Sequence, residues 1–184
     1  VRVGSGGTGD AETSDQEDQG TGDDSTTSTT ESTGYVLDDR NPACSVLGSW
    51  VLYTRAGYGG TLGFAEAGNG EKVASCRLSS LAEGDYRVTA TWVAHPNRAS
   101  NAPYRLKVNG QTVLSGTINQ RVAADDEVAD GGNWETLGTV TVPAGGSLVT
   151  ELSNAANGYV IADALRIVRV GSGGTGDAET SDQE

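Results

Sequence analysis

Oxygen donors crowd one short stretch of this chain: Asp125, Asp126, Glu127, Asp130 and Asn133 fall within nine positions. Carboxylate and amide oxygens at that density are the ligand type Ca2+ takes, with Asp125, Asp126 and Asp130 as candidate ligands, although their order matches neither an EF-hand nor a calcium-repeat pattern. A solvated acidic loop is the plainer reading of the same residues. Cys44 and Cys76 are the chain's two cysteines, and they read either as a disulfide or as two buried thiols. With no histidine or acid clustered beside them, metal ligation is not expected. The parts of a catalytic site are missing. The one histidine, His95, stands next to Pro96, no G-x-S-x-G elbow exists, and adjacent Asp125 and Asp126 cannot flank a glycosidic bond from opposite sides. The chain is therefore expected to be no enzyme and to need no cofactor beyond the candidate Ca2+.

Such side chains act only where a frame holds them, and hydrophobic periodicity reads that frame as all-β. Residues 85–93 (DYRVTATWV) place Tyr86, Val88, Ala90 and Trp92 on one face and Arg87, Thr89 and Thr91 on the other, the alternation of a half-buried antiparallel strand. Residues 104–108 repeat it with Tyr104, Leu106 and Val108 inward. Asn109-Gly110 then supplies the two positive-φ positions of a tight hairpin, and 111–114 returns. Further strands are expected at 50–55, 73–78, 134–142, 147–152 and 158–170, between Gly, Pro and Asn turns. No segment keeps a 3.6-residue apolar period for three turns, so helix should be scarce and the strands should close a sandwich or barrel. Trp92 and Trp134, at inward strand positions, are expected in the core with Trp50 rather than on a sugar-stacking platform.

Every Trp, Tyr and Phe lies between positions 35 and 159, so the globular part is read as residues 35–170. Residues 4–34 differ: 31 residues rich in Gly, Ser and Thr, with eight acids, no base and Ala11 as the one apolar side chain. They cannot bury enough surface to offset their ordering entropy and read as an acidic linker. Of 25 acidic residues 14 lie outside positions 41–167, whereas nine of the 12 basic ones lie inside, so the net charge of −13 is concentrated in the flanks. That distribution disfavours nucleic acid and anionic membrane surfaces as partners. No apolar run approaches the ~18 residues of a membrane span. The seventeen residues VRVGSGGTGDAETSDQE open the chain and recur at 168–184. A 167-residue repeat unit is expected, the chain being a window on a tandem array. Residues 1–3 would end the last strand of the preceding repeat, and 171–184 would start the next linker.

Three separated segments, TWVAHPNRASNAPYRLKVNG (91–110), GGNWETLGTVTV (131–142) and NAANGYVIADALRIV (154–168), together resemble the golvesin-like domain, also described as the xanthan-lyase carbohydrate-binding-like domain. The resemblance covers most of residues 35–168. It implies an antiparallel β-sandwich, a jelly roll of the galactose-binding-like kind, attached to secreted bacterial proteins and credited with a sugar-binding role. The chain departs from the pattern at an acidic insertion, 121–130 (RVAADDEVAD), and at the linker. In that extracellular setting the disulfide reading of Cys44 and Cys76 is favoured. The loop residues His95, Asn97, Arg98, Asn101 and Tyr104 belong to the first segment. They could grip sugar hydroxyls or a carboxylate, or they could serve as scaffold, with Arg98 paired to Asp163 and the asparagines bonded to backbone. Scaffold is the favoured reading, since a family's shared residues need not mark a shared ligand.

Two functions follow. The first is a structural bead of an extracellular or cell-surface bacterial protein, whose partners are copies of itself along and across a filament, sheath or stalk. In it the Thr/Ser-rich residues 25–33 run extended along a neighbouring bead's sheet edge, with Arg87, Arg105 and Lys107 offsetting linker charge. The alternative is a carbohydrate-binding module with polysaccharide as partner.

Overall fold

The computed structural model describes residues 34–171. Positions 1–33 and 172–184, with the expectations attached to them, lie outside the described residues, while Gly34 and Gly171, read as linker, belong to strands. Alternating branched or aromatic and polar residues, broken by Gly, Asn and Pro, fold here into thirteen strands. In chain order they are β1 (Gly34–Asp38), β2 (Cys44–Leu47), β3 (Val51–Tyr53), β4 (Leu62–Ala65), β5 (Val73–Leu81), β6 (Gly84–Thr91), β7 (Ala102–Val108), β8 (Gln111–Ile118), β9 (Glu127–Ala129), β10 (Gly132–Val142), β11 (Gly146–Ser153), β12 (Val160–Ala162) and β13 (Ala164–Gly171). The helical content of the described residues is one 3-10 turn, Tyr58–Gly60.

Two five-stranded antiparallel sheets, β1-β13-β6-β10-β9 and β2-β5-β11-β7-β8, make the layers, and a three-stranded sheet, β12-β4-β3, joins them. The inward faces are those the alternation marks: Tyr86, Val88, Ala90 and Trp92 from β6 and its extension, and Tyr104, Leu106 and Val108 from β7, are all buried. They meet Leu148 and Leu152 of β11, Val140 and Val142 of β10 and Leu165 and Ile167 of β13 in one cluster. Each such side chain withdrawn from water contributes about 1.5–3 kcal/mol. Asn109 (φ 50) and Gly110 (φ 82) form the expected β7–β8 turn.

Four departures from periodicity matter for the site. The single strand expected at 158–170 is two, because Asp163 is the hinge at which the chain leaves the small sheet (β12 on β4) for the large one (β13 on β6). The acidic insertion is not a free loop: Glu127–Ala129 pairs with the start of β10 across a turn at Asp130 (φ 48) and Gly131 (φ 76). A bulge between Thr136 and Gly138 flips the parity of β10. Glu135 stands opposite inward Ala90 and Thr136 opposite outward Thr89, so Trp134 points to the outer face and not, as alternation implied, into the main core. It is still fully buried, tilted against Tyr58 at 5.4 Å with its indole N–H on Ala129 O. Thr89, expected on the solvent face, is buried too, and its hydroxyl donates to Arg166 O. Gly138 holds φ 151 at the bulge, a backbone conformation that side-chain-bearing residues rarely adopt, and a Cβ there would also press on Leu114 Cδ1.

Candidate functional site

The polar loop after β6 is built by backbone pairing across one end of the sandwich. Arg98 N donates to His95 O to close a turn, Ala99 N donates to Tyr159 O and Tyr159 N to Asn97 O, so the 95–101 and 154–159 loops run side by side. Gly158 permits that approach, since a Cβ there would sit 2.7 Å from Arg98 O. Asn101 and Asn157 lock the pair: Asn157 N donates to Asn101 Oδ1 and Ser100 N to Asn157 Oδ1, both at 2.9 Å. Arg121, from the loop after β8, donates Nε to Arg98 O at 2.9 Å.

The result is a rim on which His95, Asn97, Arg121 and Asn157 are exposed and Arg98 and Asn101 half-buried. His95 Nδ1 lies 2.7 Å from Asn97 Oδ1, which also accepts from Arg98 Nη1 at 2.9 Å. Arg98 Nε donates to Val93 O. Partial burial pulls the Arg98 guanidinium below its ordinary pKa. The expected Arg98–Asp163 pair does not form, because the backbone turn at His95 aims the guanidinium at Val93 and Asn97. No ion pair to Arg98 or Arg121 occurs among the described residues.

Two nominated residues stand away from the rim. Tyr104 is buried inside the sandwich; its hydroxyl accepts from Gln120 Nε2, and burial pushes its pKa up. Asp163, 8% exposed, accepts from Tyr58 N at 2.8 Å through Oδ1. Burial raises its carboxyl to about 7, against the Tyr58 N–H and with the repulsion of Asp38 and Asp39. Gln120, buried to 0% exposure and decisive for the loop's footing, carries no sequence signal of its own.

The acidic set divides. Asp125, Asp126 and Glu135 bring carboxylate oxygens within 4.8 Å of one another, a donor set able to hold a hard cation. Desolvation, aided by Asp126 and Asp125, raises Glu135. Asp130, nominated with them, goes elsewhere: its Oδ2 lies 2.5 Å from Arg166 Nε, and Glu127 Oε1 takes Arg166 Nη1 at 3.2 Å and Arg87 Nη2 at 3.0 Å. The Asp130-Gly131 dipeptide signals the turn that sends them there. Cys44 and Cys76 form a disulfide between the paired strands β2 and β5. Trp50 packs against the core from its edge, its indole N–H on Leu47 O.

Sheets so layered define a jelly-roll-like β-sandwich, a fold also seen in carbohydrate-binding modules. Residues 35–169 match the Golvesin C-terminal domain, and the chain belongs to that family. The structure is similar to xanthan lyase of Paenibacillus, with TM-score 0.62 and 29% identity over 75% of this chain, which spans 13% of that enzyme's length. It is also similar to a family 35 carbohydrate binding module from Clostridium thermocellum (TM-score 0.53, 18% identity, 73% of this chain and 98% of that one). A family 35 module from Cellvibrio japonicus matches with TM-score 0.52 and 15% identity over 74% of this chain and 93% of that one. The two modules speak for the fold alone. No curated protein matches the chain.

Proposed function

We propose that the domain is a non-catalytic carbohydrate-binding module of a secreted bacterial protein, and that the loop rim is its ligand face. One observation carries the reading: exposed Arg121 donates Nε to the main-chain carbonyl of half-buried Arg98, with no carboxylate ion-paired to either arginine among the described residues. Two guanidinium groups flanked by the side-chain amides of Asn97 and Asn157 present the donors and acceptors that sugar hydroxyls and uronate carboxylates match. The same network that makes these residues scaffold pre-orders them for a ligand. The disulfide fits an oxidising, extracellular location. Retention on immobilised polysaccharides, neutral and uronate-bearing, tests it. Arg121→Ala should lose retention while melting like the parent, whereas equal retention of parent and variant on every matrix would discard the rim.

The reading as a structural repeat has its own support in the seventeen residues shared by positions 1–17 and 168–184. Exposed Val46, Leu47, Val51, Leu52 and Tyr53 on the edge strands β2 and β3 add to it, since such edges invite pairing. Its charge scheme changes: Arg87 and Lys107 are already paired within the bead, to Glu127 and Glu151. Electron microscopy of arrays with and without residues 4–34 separates the two readings. Regular filaments that need the linker support the bead, and isolated particles in both preparations refute it.

A further inference from the structure

Five of the nine large apolar side chains that stay exposed among the described residues fall between positions 46 and 53: Val46 and Leu47 on β2, and Val51, Leu52 and Tyr53 on β3. Each is 46–66% exposed, and Val46, Val51 and Leu52 meet at one corner of the sandwich. Single exposed apolar residues are ordinary on a surface, but a contiguous group marks a contact surface. β3 lies at an edge of the three-stranded sheet, bonded to β4 alone among the described residues. The sheet's other edge is closed, since Ile161 of β12 exchanges both main-chain bonds with the Gln120 side chain. The β3 edge has no such cap among the described residues. Nor is it blunted by its sequence: residues 49–55 (SWVLYTR) hold no proline, no acid and a single base, Arg55 at the end.

The residues on offer select what pairs there. Positions 1–33 and 172–184 carry Val1, Val3, Ala11 and Ala178 as their whole apolar content, with twelve acids against one base, so a strand from them would leave the patch facing water and carboxylates. A sugar chain needs hydrogen-bond partners, which Val and Leu side chains do not supply. A second copy brings the same apolar set. Two β3 strands set antiparallel about a two-fold axis at Leu52 place Leu52 opposite Leu52, Val51 opposite Tyr53, Trp50 opposite Thr54 and Ser49 opposite Arg55. That register matches an aromatic with a β-branched residue and brings no two like charges together. We propose that the β3 edge is a self-pairing surface, through which two copies of this domain join their three-stranded sheets into one of six strands. Five half-exposed side chains offer a few hundred Å2 per copy, below the roughly 800 Å2 per partner of a standard interface, so the dimer is weak. The pairing needs only this one domain and depends on neither function proposed above.

Sedimentation of the full chain over a concentration series tests it. The mass should rise towards two copies with a dissociation constant of about 10 μM to 1 mM. Pairing should tighten from about 0.05 M to about 0.5 M salt, because copies of net charge −13 repel one another and apolar contact is not screened. Leu52→Lys sets two ammonium groups across the axis and should weaken the dimer at least tenfold, while amide shifts away from β3 show the fold retained. Leu52→Cys gives a second readout: facing Cα atoms about 4.5–5.5 Å apart are within disulfide reach, so mild oxidation should yield a covalent dimer. Val113→Cys on β8, at a similarly exposed position, should not. Monomer throughout up to about 1 mM, an unchanged dimer in Leu52→Lys, or equal cross-linking of the two cysteine variants would each overturn the proposal. Association that weakens with salt would seat the acidic linker on this edge instead, and β3 amides that shift only when polysaccharide is added would seat a sugar chain; either result overturns it as well.

Discussion

Gln120 pairs with Ile161 as a strand would: Gln120 Nε2 donates to Ile161 O and Gln120 Oε1 accepts from Ile161 N, both at 2.8 Å, with both residues wholly buried. One side-chain amide thus supplies the ladder that β12 lacks on this side, and it ties the loop after β8 to the strand that leads into Asp163. The same Nε2 reaches Tyr104 OH, so the rim rests on this residue although it never touches the surface.

Gln120→Leu should therefore be among the most damaging single changes. It keeps volume but strands a donor and an acceptor of Ile161 where no water reaches, at about 1–3 kcal/mol for each unsatisfied group. Denaturant unfolding should show a loss of about 2–4 kcal/mol. A loss under about 0.5 kcal/mol would mean that another group replaces the amide.

Reduction of the Cys44–Cys76 bridge should also be visible. A cross-link 32 residues apart removes loop entropy from the unfolded chain worth about 3.5 kcal/mol in the chain-entropy account. Because β2 is an edge strand held on β5 alone, the paired Cys44→Ser/Cys76→Ser variant should lose that much in denaturant and expose amides of β2 to exchange first. Peptides linked in non-reducing mass spectrometry confirm the bridge, and alkylatable thiols in native protein contradict it.

What was legible in the sequence was whatever depends on local period. Tyr86, Val88, Ala90 and Trp92, with Tyr104, Leu106 and Val108, fall on their expected faces because the core-facing side of each strand is apolar at every second residue, and Asn109-Gly110 turns because few dipeptides accept two positive φ angles. Trp134 was misplaced because one extra residue, at the Thr136–Gly138 bulge, inverts every later inference about facing. The strand β9 hid inside an acidic run because its cations, Arg87 and Arg166, are 40 and 39 positions away from Glu127. Arg98 and Asp163 shared polarity and the right segments, but only the fold decides partners, and it gave Arg98 a carbonyl and Asp163 an amide.

Arg166 gives the acidic run its order, with a side chain 15% exposed between Glu127 and Asp130. Arg166→Met should leave Asp130 without its cation and Glu127 with Arg87 alone, costing on the order of 1–3 kcal/mol. The loss should persist in about 1 M salt, since a partly buried pair is screened less than a surface one. Lys107→Met, removing a single pair with Glu151, should cost no more than about 1 kcal/mol. Equal losses for both variants would show that the network adds nothing beyond its separate pairs.

Asp163 makes stability depend on pH in a stated direction. Burial holds its carboxyl at about 7, from an ordinary 3.8, despite the hydrogen bond from Tyr58 N. An acid raised in the folded state binds more protons folded than unfolded between those two values, so stability is fullest at or below pH about 4 and declines until pH about 7. Burial likewise raises Asp38 and Glu135, which act with the same sign, whereas Glu71, lowered chiefly by the hydrogen bond from Asn154, acts oppositely. Asp163→Asn retains an Oδ1 acceptor for Tyr58 N–H and cannot ionise. Its denaturant midpoint should fall less than the parent's between about pH 5 and pH 8, and it should be the more stable protein at pH 8. The slope should shrink rather than vanish, since Asp38 and Glu135 still titrate. Parallel curves for the two proteins across that range would mean that Asp163 is already ionised when folded, and the Tyr58 N–H would then have to outweigh burial at that hinge.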